Sequence, residues 1–285
     1  MEDLEVVIII LIILLCWRLL SKCCFHEGFS TSVIKDLTTF GGRQSGTLGH
    51  HNSYLYLIEK VKSLNVQEVQ WAPGYTQNFK YNGIKHKNIV FTIKGELRNP
   101  KILVFAHYDH IGPGFPGGND NASGVFALLQ IAKRMTRVKD IYYDIVFVLS
   151  DGEESGMYGS QVVADILPAN NLVINIDTIG GFPEGDIVRI ANDGSYQTYL
   201  TEKAKEKNMD VDLIDIQPGR SDITNFTGFN ECVEFGYPTK AGHYHTHEDT
   251  YDNLYQTNMI KIIQMVGDLV NDVSLGKLPI AKIIR

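Results

Sequence analysis

The sequence predicts an α/β protein, a three-layer α/β/α sandwich around a mixed, mostly parallel central sheet. Three observations predict it. Short, almost uninterrupted apolar runs, "KILVFA" at 101–106, "DIVFVLS" at 144–150 and "LVINI" at 172–176, fit strands covered on both faces. Helical patterns alternate with these runs, as a sheet flanked by helices requires. The chain has 285 residues, of which 44% are hydrophobic and 21% charged, an ordinary globular composition for one large α/β domain.

Taken in order, the chain opens on "MEDLEVVIIILIILLCWRLLSKCC". The apolar run covers 6–17 and, with Arg18 free to snorkel, extends over 4–20, about the length of the shortest usual membrane-spanning helix. Glu2, Asp3 and Glu5 stand where a secretory signal carries positive charge, and no small-residue cleavage pattern follows, so residues 1–25 read as an uncleaved anchor. Arg18 and Lys22 on its C-terminal flank point the globular part, 26–285, at the cytoplasm. "HNSYLYLIEKVKSL" places Leu55, Ile58, Val61 and Leu64 three apart, an amphipathic helix. "NIVFTIKG" is a strand ending at Gly95, and after the 101–106 strand "GVFALLQIAKRM" is a helix opening just after Ser123 and Gly124. The 144–150 and 172–176 strands follow, then a strand at "IVRI" and a closing helix at "NMIKIIQMVGDLVNDV". With no Pro-, Gly- or Ser-rich linker, low-complexity tract or repeat, this is one domain.

Composition also narrows the partners. Net charge is −7, with no basic block or aromatic-plus-Arg stripe, which argues against nucleic acid. Cys16, Cys23 and Cys24 sit in or beside the N-terminal apolar segment, so Cys232 alone cannot build a disulfide framework in the globular part. Nothing in the sequence sets the oligomeric state.

The polar residues that end the apolar runs carry the chemistry. His107 and Asp109 follow the first buried strand, Glu153 and Glu154 the second, and Asp177 ends the third. In open α/β sheets, ligands bind at the carboxyl ends of the strands, so five such groups converge on one edge. Asp109 is suitably placed to fix the His107 tautomer. Asp120 lies in the Gly- and Asn-rich loop "GGNDNASG", where a carboxylate can turn inward. "GHYHTHEDT" brings His243, His245 and His247 onto one side of an extended segment by alternation. His107, Asp120, Glu154, Asp177 and one late His exceed the needs of one tetrahedral ion and suit two ions sharing a carboxylate. Such a site needs one carboxylate that is not a ligand to move a proton, so Glu154 ligates and Glu153 shuttles.

The ordered set "AHYDH…GGNDNASG…SDGEESGMYGS…NIDTIG…SDITNF…YHTHEDT" resembles the M28 family of co-catalytic di-zinc aminopeptidases. The resemblance covers roughly 40–270, because "GGRQSGTLGHHNSYLYLIEKV" is similar to that family's opening helix region. It implies two Zn²⁺ per chain, one held by His107 and Asp177, the other by Glu154 and His245, with Asp120 bridging. It implies Glu153 as general base and then acid, Asp109 as support for His107, and a peptide or aminoacyl substrate. Ser221-Asp222-Ile223 departs from the Ser-Asp-His often found there, and no residue matches a transition-state tyrosine. A single-zinc glutaminyl-cyclase-like enzyme and a non-catalytic membrane receptor share the same expected fold.

Overall fold

The computed structural model describes residues 30–181, 185–237 and 243–280. The anchor predicted for 1–25 lies outside the described residues. Among the described residues, no helix is long and apolar enough to cross a membrane.

In chain order the elements are α1 (Ser32–Thr38), α2 (Leu48–Lys62), β1 (Thr76–Tyr81), β2 (Ile84–Ile93), β3 (Leu97–His107), α3 (Gly124–Met135), β4 (Tyr143–Ser150), α4 (Tyr158–Ala164), β5 (Leu172–Ile176), β6 (Ile187–Asn192), α5 (Gln197–Glu206), β7 (Asp210–Ile214), β8 (Glu231–Gly236) and α6 (Gln256–Ser274). The strands form one sheet in the order β1-β2-β4-β3-β5-β8-β6-β7. β3 pairs in parallel with both β4 and β5, and β5 with β8, while β2 joins β4 and β6 joins β8 antiparallel. The sheet is therefore mixed with a parallel centre, as the sequence predicts.

The unbroken apolar runs are explained by two cores. Along β3, Ile102, Val104 and Ala106 face the larger core, and Leu103 and Phe105 the smaller one. β4 splits the same way, Ile145, Phe147 and Leu149 against Val146 and Val148. A strand covered on both faces has no polar side to alternate with. Residues of α1, α2, α3, α5 and α6 pack into the larger core. The smaller is closed by Val163 of α4 and by Ile223 and Phe226 of a single 3₁₀ turn. α6 buries Met259, Ile262, Ile263, Val266, Leu269, Val270 and Val273, each worth about 1.5–3 kcal/mol on full burial, which fixes the third layer.

One expected helix face shifts. Leu55 is 49% exposed, while Leu57, Ile58, Val61 and Leu64 are buried. α2 begins earlier, at Leu48, where the Thr47 side chain accepts the His50 amide as an N-cap. Its buried stripe includes Gly49, His50 and Ser53, polar or small residues that apolar spacing does not reveal.

Candidate metal centre

Parallel register brings the site together. His107 pairs with Ser150, and Phe105 with Asn175, so β3, β4 and β5 end nearly level. The residues just beyond those ends, Asp109, Glu153, Glu154 and Asp177, open onto one edge.

The loop bearing Asp120 is latched on three sides. Asn121 donates to the Ile176 carbonyl at 2.9 Å and accepts from the amides of Gly124 and Thr178. Asn119 accepts the Gly180 amide at 2.7 Å, and the Ser123 hydroxyl accepts that of Ile179 at 3.2 Å. The buried Asp249 carboxylate accepts the amides of Asn119 and Asp120 at 2.6 and 3.0 Å. From the third side Arg43, fully buried, donates to the carbonyls of Tyr108, Pro116, Gly117 and Asp120. A Cβ on Gly117, at φ +61, would lie 2.4 Å from the Asp120 carbonyl and 2.7 Å from Arg43 Nη2, so only glycine fits there.

Two clusters result, and Asp120 belongs to both. In the first, His107 Nε2 lies 3.2 Å from Asp120 Oδ1 and 3.5 Å from Asp177 Oδ1. In the second, Asp120 Oδ2 is 2.9 Å from His245 Nε2, and Glu154 Oε1 is 3.3 Å from His245 Nε2 and 3.1 Å from His110 Nδ1. His107, Asp120 and Asp177, and likewise His110, Asp120 and Glu154, offer donor atoms all within 4.8 Å of one another. Asp120 Oδ2, Asp177 Oδ1 and His245 Nε2 are buried and lack an aligned hydrogen bond among the described residues. Buried carboxylates at this density need compensating cations. Nitrogen and oxygen donors in these sets suit zinc, so the residues present fit the expected metal.

The electrostatics point the same way. Burial pushes the Asp120 carboxyl up, but the His107 and His245 imidazoles beside it outweigh burial and hold it well below the usual range. Burial raises Asp177, with His107 opposing. Glu153 is raised well above its ordinary value by burial, with His107 opposing and Asp177, Asp222 and Asp109 adding. Glu153 makes neither cluster, yet it lies close enough to His107 for their charges to interact.

Asp109 does more than flank His107. Its carboxylate stands 3.6 Å from His107 Nδ1, and it accepts the backbone amides of Glu153 and Glu154 at 3.1 and 3.2 Å. The three late histidines do not share a side as alternation predicts. Residues 243–248 form turns, with His245 at φ +57. His243 pairs with Glu248 at 2.6 Å, and His247 stacks on Phe115 at 4.4 Å, so only His245 enters the cleft. Asp222 of the departing Ser-Asp-Ile segment is buried behind β4, bonded to the Ser150 hydroxyl, and burial pushes it up to about 6.

Sequence reasoning missed four residues here. His110 could have been found as the second histidine of "HYDH", one position past Asp109. Tyr244 stacks on His245 at 3.9 Å, and its phenol is raised by burial and by Asp120, Asp177, Glu154 and Glu153. Arg43 and Asp249 act through backbone atoms and leave no spacing signal.

Residues 88–270, well over half of the chain, match the family model for Peptidase family M28. The chain belongs to peptidase family M28. That M28 match runs from β2 into α6 and contains every donor of both clusters. Aminopeptidase YwaD of Bacillus subtilis is 26% identical over 230 residues, 74% of this chain and 45% of that protein. The chain spans less than half the length of the curated relatives it matches. Among solved structures, the LapA aminopeptidase of Legionella pneumophila aligns with a TM-score of 0.74 at 19% identity, over 88% of this chain and 74% of that one. Glutaminyl cyclase of Porphyromonas gingivalis aligns at 0.69 and 20% identity, over 85% of this chain and 96% of that one. At these identities the structural likeness is one of fold.

Proposed function

We propose that the chain is a zinc aminopeptidase that releases N-terminal residues from peptides. One observation carries the reading: two donor clusters share Asp120, while Glu153, beside them and outside both, is left to move protons. His107 and Asp177 would hold one Zn²⁺, Glu154 and His245 the other, with Asp120 between them and His110 bracing Glu154. Zinc bound there would act as a Lewis acid on the scissile carbonyl and lower the pKa of a water. Glu153 takes the proton of the attacking water and passes it to the leaving amine. The burial that raises its pKa also makes its ionised form a stronger base. Asp109 holds the Glu153 and Glu154 amides, which fixes where the base stands. Tyr244, protonated and beside His245, is placed to donate to the oxygen that gains charge.

The test is a panel of aminoacyl chromogenic amides with metal analysis on the same sample. Wild type should hydrolyse some of them with two zinc ions per chain, and Glu153→Ala should keep the zinc and lose nearly all turnover. A fully active Glu153→Ala defeats the mechanism. The fold likeness to a glutaminyl cyclase keeps a second reading open, and one zinc per chain with cyclisation of N-terminal glutamine would favour it. Zinc bound with no turnover of any substrate would favour a receptor.

We also propose an N-terminal anchor at 1–25 carrying a domain at 26–285, supported by the apolar run at 6–17. Arg18 and Lys22 favour the cytoplasmic side, which protease protection of sealed vesicles tests.

A further inference from the structure

Asp151, two residues before Glu153, is completely buried and belongs to neither metal cluster. Its side chain reaches toward α2 and β2. Ser45 Oγ donates to Oδ1 and the Lys87 amide to Oδ2, both at 2.8 Å. Two buried imidazoles close on Oδ1, His50 Nε2 at 2.9 Å and His86 Nδ1 at 3.3 Å. Neither is aligned for a hydrogen bond. A misaligned neutral hydrogen bond contributes little, whereas the attraction between an imidazolium and a carboxylate does not depend on alignment.

A carboxylate buried this deeply needs a cation. Lys87 does not supply it, because its ammonium lies over the Tyr54 ring at 4.2 Å. The two imidazoles are the groups near enough to carry it. Both rings are held flat, His50 against Tyr108 at 5.1 Å and His86 against Phe79 at 5.0 Å. The turn itself follows the path they leave. Gly152 sits at φ +79, where a Cβ would meet His86 Nδ1 at 3.1 Å, and the Asp151 amide donates to Asn88 Oδ1 at 2.9 Å. Asp109 grips the next two amides from the opposite side.

We propose that Asp151 is a positioning residue: one imidazolium charge shared between His50 and His86 anchors its carboxylate, and this anchor fixes the turn that presents Glu153 and Glu154. The charge on the pair depends on pH. Asp151 holds the His86 imidazole above its ordinary value against the pull of burial, with Asp109 adding. The other titratable or charged groups around it are His50 and Tyr54 of α2, Lys87 of β2, Tyr108 beyond β3 and Tyr158 of α4. A raised imidazole value means that the anchor is complete at lower pH and weakens as the pH climbs through the His86 titration.

The rate arm of the test rests on the aminopeptidase reading, and the metal arm does not. The zinc-loaded full chain is compared with Asp151→Asn and with the paired His50→Gln, His86→Gln variant, which keeps N–H donors and loses the charge. Zinc affinity is read by competition with a chromogenic chelator, alongside kcat, KM and the melting temperature. Asp151→Asn should weaken the zinc held by Glu154 about tenfold and lower kcat about tenfold, with KM within about twofold, the scale of losses for groups that orient metal ligands. The paired variant should show a kcat deficit that closes as the pH rises past the His86 titration, where the wild-type anchor has lost its charge too. A folded Asp151→Asn with zinc affinity and kcat both within about twofold of wild type overturns the proposal. So does a deficit in the paired variant that does not change with pH, and that variant decides alone if Asp151→Asn fails to fold. An inactive wild type overturns the aminopeptidase reading instead, and the zinc titration still judges Asp151.

Discussion

Arg43→Lys separates charge from geometry at the loop that carries Asp120. The guanidinium makes four donations, from Nε to Tyr108 at 2.8 Å, from Nη1 to Pro116 at 2.6 Å, and from Nη2 to Gly117 and Asp120 at 2.8 and 3.3 Å. An ammonium keeps the charge, but its donors radiate from one point and cannot match a fork that spans three nitrogens. Two of the four carbonyls are then left buried without a donor. Each charge-assisted bond lost costs about 1.5 kcal/mol net, so the substitution costs about 3 kcal/mol. For a domain of this size about 1 kcal/mol moves the melting temperature about 2–4 °C, which predicts a drop of about 6–12 °C. Differential scanning calorimetry of the metal-free chain measures it, and zinc titration should show weaker binding, because the Asp120 carbonyl is one of the bonds lost. A shift below about 2 °C would show that positive charge, and not the fork, holds the loop.

Three further predictions concern single groups. His110→Ala should weaken one of two zinc ions about tenfold and leave the other unchanged, because His110 braces Glu154 and does not touch His107 or Asp177; equal weakening of both, seen by competition titration, would contradict that division. Glu153→Gln should lower kcat at least about a hundredfold at unchanged zinc content, the usual scale for losing a general base, and steady-state kinetics with metal analysis would expose a smaller effect. Glu234, half-buried and bonded to Asn175 and the Ser221 hydroxyl, has its carboxyl pushed up to about 7 by removal from water, with Asp177 adding. A carboxyl whose folded value exceeds its unfolded value loses stability as pH rises between the two, here on the order of 3 kcal/mol for a shift from 4.5 to about 7. Glu234→Gln should therefore melt higher than wild type at about pH 8 and no higher at about pH 4.5, whereas identical melting at both would refute the burial argument.

The parts of the fold that the sequence revealed are those where one face or both faces are uniformly apolar. β3, β4 and β5 read correctly because each strand feeds two cores. β1 escaped notice because "TQNFKY" is an edge strand, with no fully buried residue and mixed polarity. β8 escaped because Glu231 is buried and Glu234 half-buried within "ECVEFG", where tertiary partners stabilise carboxylates that composition assigns to the surface. The site was legible where a strand end delivers a donor, as at His107, Glu154 and Asp177. The late histidines misled because alternation assumes an extended backbone, and the chain turns there with His245 in the left-handed region. Arg43, Asp249 and Asp151 were invisible as functional groups because their partners lie tens of residues away, backbone atoms for Arg43 and Asp249 and mostly side chains of another helix and strand for Asp151. No local spacing encodes such contacts.

Asp120 shared between two cations is the centre of the proposed chemistry. The most direct measurement is an anomalous difference map from a crystal of the zinc-loaded chain, recorded at the zinc edge. Two peaks should appear, one bounded by His107 and Asp177 and the other by Glu154 and His245, with a carboxylate oxygen of Asp120 directed at each. A single peak, or density that leaves Asp120 uncoordinated, would contradict it.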